Sequence, residues 1–390
     1  MTRAWVEIDL GALCRNGAAV AARAGVPILP MVKADGYGIG ALRAALALDL
    51  LDPWGFGVSS VTEGFELRRG GITRPIVVFS PILRTEIDAL RRADLTPALG
   101  DPAVIESWAR TGRPWHLHID TGMSRAGMPW HLVSQHTALF ARAAPEGALT
   151  HFHSAELTDG TRDVQEERFR DALAQLPVRP AVLHCENGAA VEQRGNSPWS
   201  LVRPGIFLYG VSTVNDSALV PEPVASIKAR IVEIRTVRDG ETVSYDATWT
   251  AKGDRRIATV PVGYADGYRR SLSNCADALL GGRRVPVAGR VTMDMTMLDV
   301  TGTTAALGDV VTLLGKDGGD VITVGELAER SGVSAYEILT GLRLRLPREY
   351  CGAADRPAGG TERASGENTR VRSSSGVEYR RDANTTGVRS

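Results

Sequence analysis

The sequence predicts a two-domain α/β protein, an N-terminal (β/α)8 TIM-type barrel followed by a C-terminal all-β domain, on three observations. Eight short apolar runs alternate with helix-like segments up to about Tyr209, the texture changes after Asp216, and the chain of 390 residues with 43% hydrophobic residues is long enough for two cores. The runs are Ile28–Lys33, Trp54–Ser59, Pro75–Ser80, Leu95–Gly100, Trp115–Asp120, Ala148–Ser154, Ala181–Asn187 and Leu201–Ile206. Strands buried on both faces read as continuous apolar stretches, which suits a parallel barrel. The intervening TEIDALRRAD and TRDVQEERFRDALAQL carry apolar residues three and four apart, as helices packed outside such a barrel do.

Beyond Asp216, PEPVASIKARIVEIRTV, ETVSYDATWTA, RRIATVPVGYAD, RRVPVAGRVTMDMTMLDV and GDVVTLLG are apolar runs separated by Gly- and Asp-rich turns, the pattern of strands. A last helix is expected from near Ser334 toward Pro347. The domains then read as 1–10, an N-terminal strand packing with the β domain; 11–215, the barrel; 216–354, the β domain; and 355–390, a polar tail expected to be disordered because it has scarcely any core-forming residues.

Composition narrows function. Lys+Arg and Asp+Glu both total 45, so no net field draws the chain to nucleic acid or a membrane surface, and a small-molecule substrate is expected. The start MTRAWVEIDLGALCRN lacks the form of a secretory signal and no stretch is apolar enough to span a bilayer, which predicts a cytoplasmic protein. Cys14, Cys185, Cys275 and Cys351 are scattered, as reduced thiols are, and no structural metal is implied.

Barrel enzymes carry their chemistry at the C-terminal ends of the strands, with phosphate often held after strands seven and eight. Lys33 ends run one, Asp120 ends run five, His151 and His153 lie in run six, Asn187-Gly188 ends run seven, and Arg203 with Gly205-Ile206 lies in run eight. Only four lysines occur, at 33, 228, 252 and 316. A retained lysine at a strand end suits chemistry that a guanidinium cannot do, because only an amine condenses with a carbonyl. A surface lysine is the plain alternative, and the neighbouring rim residues weigh against it.

MVKADGYGIG around Lys33 resembles the cofactor-lysine motif of the alanine racemase family, and HIDTGMSRAG, THFHSAELTD, VRPGIFLYG, VSYDATWTA, VGYADGY, GRVTMDM and SAYEIL follow in that family's order over about residues 3–350. The resemblance implies a racemase that interconverts L- and D-alanine with pyridoxal 5'-phosphate carried on Lys33. It implies cofactor binding by Tyr37, Arg125, His151, Asn187, Gly188, Arg203, Gly205, Ile206 and Tyr336. Arg203 would face the pyridine nitrogen; Arg125 and the backbone of Met293 would orient the substrate carboxylate; Tyr264 and Tyr336 would narrow the entrance. Lys33 and Tyr245 would be the two bases, Tyr245 reaching the barrel of the other subunit of a head-to-tail homodimer.

Each assignment has a structural alternative in the residues themselves. Tyr37 reads equally as a packed aromatic beside a turn, Arg203 as an arginine paired with a carboxylate, His151 as a satisfied core histidine, Arg125 as a rim arginine and Tyr245 as an ordinary strand aromatic. The sequence also departs from the family. His118 stands where a carbamylated lysine usually anchors Arg125, so Arg125 needs another partner, a bound anion or nearby acid; Gly188 stands where a serine commonly binds phosphate; Thr292 replaces a common cysteine; and Trp249 follows Tyr245. These leave a serine or broader-specificity racemase of the same fold as an alternative. A metal-dependent barrel hydrolase is the remote one, suggested by His116-x-His118 and His151-x-His153.

Overall fold

The computed structural model describes residues 2–352. The expected tail at 355–390 lies outside the described residues. The chain begins with β1 (Ala4–Asp9), whose last residue caps the first helix, Leu10–Ala24: the Asp9 carboxylate accepts from the Ala12 amide at 2.9 Å.

Six parallel strands follow in the order β2 (Phe56–Val58), β3 (Ile76–Val78), β4 (Thr96–Leu99), β5 (His116–Asp120), β7 (Gly147–Leu149) and β8 (Val182–His184), with the two-residue β6 (Met128–Pro129) paired to β5. The first and eighth runs are too irregular to count as strands, but backbone bridges Met31↔Gly57, Ile28↔Val202 and Asn187↔Arg203 tie them between β2 and β8. Leu29 and Met31 donate to the Val202 and Pro204 carbonyls at 2.7 and 2.9 Å. The eight runs therefore close into a ring; most of their buried Val, Ile, Leu and Phe side chains join one core, while Ile28 and Val202 belong to a smaller cluster with Val20, Ala24, Val191 and Phe207.

The C-terminal part is β-rich. One sheet runs β13 (Arg283–Pro286), β12 (Asp277–Leu280), β15 (Val310–Asp317), β9 (Ala225–Arg230), β1 and β17 (Arg348–Cys351), with β16 (Asp320–Ile322) on β15. A second sheet comprises β10 (Glu233–Val237), β11 (Arg255–Val260) and β14 (Thr296–Asp299). β1 pairs antiparallel with β9 and parallel with β17, so the N-terminal strand completes the C-terminal sheet.

The β-rich domain also holds a helix at Val324–Ser331, capped by Thr323, ahead of the expected one. Two expectations need correction here. The expected helix starts after Ser334, in a capping box with Glu337, but stops at Thr340, where Gly341 removes helical propensity well before Pro347. The VSYDATWTA segment is not a strand: Tyr245–Ala247 forms a single 3-10 turn, with Ser244, Asp246 and Ala247 all at positive φ.

Candidate active site

Run one ends in an unusual turn. Residues Lys33–Tyr37 coil into one helical turn in which Ala34, Asp35, Gly36 and Tyr37 have φ of 53°, 55°, 60° and 52°. Left-handed backbone costs a residue with a Cβ roughly 1–2 kcal/mol, so the surroundings must hold it. Glu63 accepts from the Ala34 amide at 2.8 Å, Asp35 from the Ala41 amide at 3.0 Å, and Arg348 reaches the Gly38 carbonyl at 2.6 Å. Gly38 closes the turn at φ +88°, and a Cβ there would sit 2.2 Å from the Leu339 carbonyl oxygen. The turn thus presents Lys33 and Tyr37 from a fixed backbone.

Both side chains line a cavity of about 640 Å³ together with His118, Arg125, His151, Asn187, Gly188, Arg203, Gly205, Ile206 and Tyr336. The structure therefore gathers eleven positions singled out in the sequence. Tyr245, Tyr264 and Met293 are exposed and do not line it; Tyr245 is 69% accessible. Burial and the positive charge of Arg125 lower the Lys33 pKa, which raises the population of free, nucleophilic amine.

Tyr37 is buried, its ring stacked on Tyr209 at 4.5 Å between centroids and 6.2 Å from that of Tyr336. Burial pushes its phenol well above the usual range, so it stays protonated and can donate. A Cβ on Gly205 would meet its hydroxyl at 2.5 Å, so the missing side chain is what admits the phenol here. Nearby, the Asn187 side chain accepts from the Ala190 amide at 3.0 Å and caps the short helix Gly188–Arg194.

Arg203 is 4% accessible, and no carboxylate lies within ion-pair distance of it among the described residues. Its Nη1 donates to the His184 carbonyl and Nδ1 at 2.5 and 3.1 Å; its Nη2 donates to the carbonyls of Thr150 and Cys185 at 2.8 and 3.1 Å and to His151 Nδ1 at 3.3 Å. The carboxylate-paired reading of Arg203 is therefore corrected: carbonyl oxygens and imidazoles hold it. Burial lowers its pKa to about 10, still charged at neutral pH. Burial, with the charges of Arg203 and Arg125, lowers His151 to about 3 and His118 to about 4, so both rings are neutral. Arg125 is exposed to the cavity and makes no ion pair among the described residues.

The sequence reading missed Glu156, Glu192 and Thr213, which line the same cavity. Glu192 is buried, accepts from the Ser212 hydroxyl, and has its pKa raised by burial. These three lie outside the strand ends that mark the barrel rim. No three His, Cys, Asp or Glu side chains come together as a metal site among the described residues; His116 pairs instead with His184.

Fold and cavity together define a β/α barrel with a lysine of lowered pKa at the strand-end rim, lining a polar cavity. The chain matches the models "Alanine racemase, N-terminal domain" over residues 8–213 and "Alanine racemase, C-terminal domain" over 224–350. It is 37% identical over 371 residues to an alanine racemase of Symbiobacterium thermophilum, covering 90% of this chain and 98% of that one. It is 39% identical over 373 residues to one of a Geobacter species, covering 89% and 98%. Among solved structures, alanine racemase from E. faecalis superposes with a TM-score of 0.85 at 29% identity, covering 90% of this chain and 98% of that one. The Bartonella henselae enzyme, with covalently bound pyridoxal phosphate, gives 0.83 at 25% over 90% and 100%. The chain belongs to the alanine racemase family.

Proposed function

We propose that the protein interconverts L- and D-alanine with pyridoxal 5'-phosphate held on Lys33, by a two-base route in which the second base is Tyr245 of a partner subunit. The observation that carries this reading is one cavity holding a lysine of lowered pKa beside Arg125, which makes no ion pair among the described residues.

The residues fit the group. Tyr37, with its hydroxyl free toward the cavity, the backbone amides of Gly188, Gly205 and Ile206, and Tyr336 form a cradle suited to a phosphate, where the lack of a Cβ lets backbone approach an anion. Arg203 and His151 belong beside the pyridine ring, and Asn187 beside the phosphate end. Bound pyridoxal phosphate supplies an electron sink for the pair left on the α-carbon when its proton departs.

The protein's own part is to bind, orient and move protons. Lys33 Nζ takes or returns the α-proton on one face. Arg203, a permanent donor, would stand beside the cofactor's ring nitrogen and would disfavour a proton there, which would temper the electron sink and limit side reactions. Arg125, which has no ion-pair partner among the described residues, is free to receive the substrate carboxylate, with the Met293 backbone as a second contact from the partner. Tyr245 is exposed outside the cavity of its own chain, as a residue that serves another chain's cavity should be. Head-to-tail pairing would bring it and Tyr264 over the partner's barrel.

The test is a racemisation assay in both directions on cofactor-loaded protein, with L- and D-alanine and L- and D-serine. Conversion of alanine, abolished in Lys33→Ala together with the near-visible absorbance of lysine-bound cofactor, is expected. Absorbance retained in Lys33→Ala, or no turnover of alanine, would overturn the reading.

A further inference from the structure

Two buried histidines lie behind Arg203 and touch neither the cavity nor solvent. His184, the last residue of β8, and His116, the first of β5, are both fully buried, with His116 Nδ1 2.8 Å from His184 Nε2. His184 Nδ1 is 3.1 Å from Arg203 Nη1. On the far side, the buried His116 Nε2 has no hydrogen-bond partner among the described residues, and the nearest carboxylate oxygen, Glu146 Oε2, lies 3.7 Å away, a side-chain adjustment short of a hydrogen bond. Glu146 immediately precedes β7, whose first residue pairs with His116, so both stand at the N-terminal ends of the strands, opposite the rim that carries Lys33.

The direction of every proton in this row follows from one fact. A guanidinium donates and cannot accept, so His184 Nδ1 must be bare. A neutral His184 then carries its proton on Nε2, which donates to His116 Nδ1. His116 in turn carries its proton on Nε2, aimed at the Glu146 carboxylate. Neutrality of both rings is required, because a second proton on either would set two donors face to face in a site shared with a buried arginine. Burial pushes both histidines down; on His116 it outweighs the opposing pull of Glu146, with Arg203 adding to the lowering of both, and His116 in turn lowers the Glu146 carboxyl. Packing keeps the row in line: Trp54 lies 5.6 Å from the His116 ring, Phe79 6.1 Å edge-on from His184, and a Cβ on Gly147 would approach the His116 ring to 2.8 Å.

We propose that Arg203, His184, His116 and Glu146 form a one-directional relay through the barrel core, in which the guanidinium sets both tautomers and the Glu146 carboxylate, turning in at the far end, receives the last ring N–H, so that the whole row holds Arg203 in place at the active-site end. His184, His116 and Glu146 are positioning residues: they touch no substrate and act through Arg203. Aligned hydrogen bonds in a low-dielectric core reinforce one another, so the donor that Arg203 spends on His184 is strengthened by the acceptor at the opposite end. The link from the relay to chemistry rests on the reading of Arg203 as the residue beside the cofactor ring; the relay itself does not.

The test is 15N spectroscopy of the histidine rings in the full-length protein, before and after loading with pyridoxal phosphate, with His184→Asn and His116→Asn to assign signals. Both rings are expected to be neutral and protonated on Nε2 from pH 6 to 9, the range around the ordinary histidine value. Glu146→Gln keeps an acceptor and keeps both tautomers. Glu146→Lys puts a donor against His116 Nε2; it is expected to shift both rings, to move the absorbance of bound cofactor, and to lower kcat on the order of tenfold with KM for alanine little changed. Should Glu146→Lys misfold, Glu146→Ala, which removes the acceptor without adding a donor, is read in the same way. A proton on Nδ1 of either ring, or a charged ring, in the unsubstituted protein overturns the relay. So does a His184 signal and a cofactor absorbance both unchanged in Glu146→Lys. If the tautomers are as stated but the protein takes up no cofactor, the functional reading fails and the relay stands.

Discussion

Nη2 of Arg203 lies 3.3 Å from Nδ1 of His151, so the histidine must keep that nitrogen unprotonated, and the two side chains are held together only while His151 is neutral. His118 is in the same position electrostatically, and burial lowers His116 and His184 as well. The stability consequence has a definite sign. A histidine depressed in the folded state binds its proton more readily when unfolded, so folding stability is intact above the unfolded value near 6.5 and is lost as pH falls toward the folded value. For His151 and His118 the windows run from about 6.5 down to about 3 and about 4. Urea denaturation at pH 7.5, 6 and 5 should show stability falling by as much as about 1.4 kcal/mol per pH unit for each such histidine. The slope should shrink in His118→Gln. A flat profile between pH 7.5 and 5 would contradict the neutral-ring geometry.

Arg125 lowers the Lys33 pKa and has no ion pair of its own among the described residues. Arg125→Gln should therefore move the pH dependence of Lys33 modification by an amine reagent to higher pH, with little cost in stability. In the assay it should raise KM for alanine more than it lowers kcat, as expected for a group that holds the carboxylate in ground and transition states alike. An unchanged modification profile would remove Arg125 from the neighbourhood of Lys33.

Two glycines of the anion cradle should respond oppositely. At Gly205 an added methyl would meet the Tyr37 hydroxyl at 2.5 Å, whereas at Gly188 the nearest atom is 3.5 Å away, ordinary contact. Gly205→Ala should weaken cofactor binding by at least about tenfold through displacement of Tyr37, the loss of one hydrogen bond to a charged group being worth roughly 1.5–3 kcal/mol. Gly188→Ser should be tolerated, and its hydroxyl should tighten cofactor binding. Equilibrium dialysis of pyridoxal phosphate against both variants checks the pair, and equal losses in the two would refute the steric argument.

Much of this was legible in the sequence because barrel strands buried on both faces leave apolar runs, and all eight runs join the ring even where, at Met31 and Val202, only single bridges survive. Most rim residues were legible from their place at strand ends, which puts Lys33, His151, Asn187 and Arg203 in the cavity; Asp120 and His153, at the same rim, do not line it. Other features were hidden. The left-handed turn at 34–37 contains three residues with a Cβ, so no run of glycines announces it. Tyr245 reads as a strand residue because aromatic and β-branched neighbours surround it, yet positive φ at Ser244, Asp246 and Ala247 breaks the strand. Glu192 enters the cavity from the helix after run seven, a place with no periodic signal. The His116–His184 contact joins residues 68 apart in the chain, and alternation on one strand pointed to a metal instead.

The most direct test of the account is complementation between two inactive chains, Lys33→Ala and Tyr245→Phe, mixed, unfolded and refolded together. If each site takes Lys33 from one chain and Tyr245 from another, hybrid dimers contain one intact site of two, and an equimolar mixture should recover about a quarter of the unsubstituted activity. No recovery above the sum of the separate variants, with hybrid dimers present by mass, would place both residues in one chain's site and contradict the account.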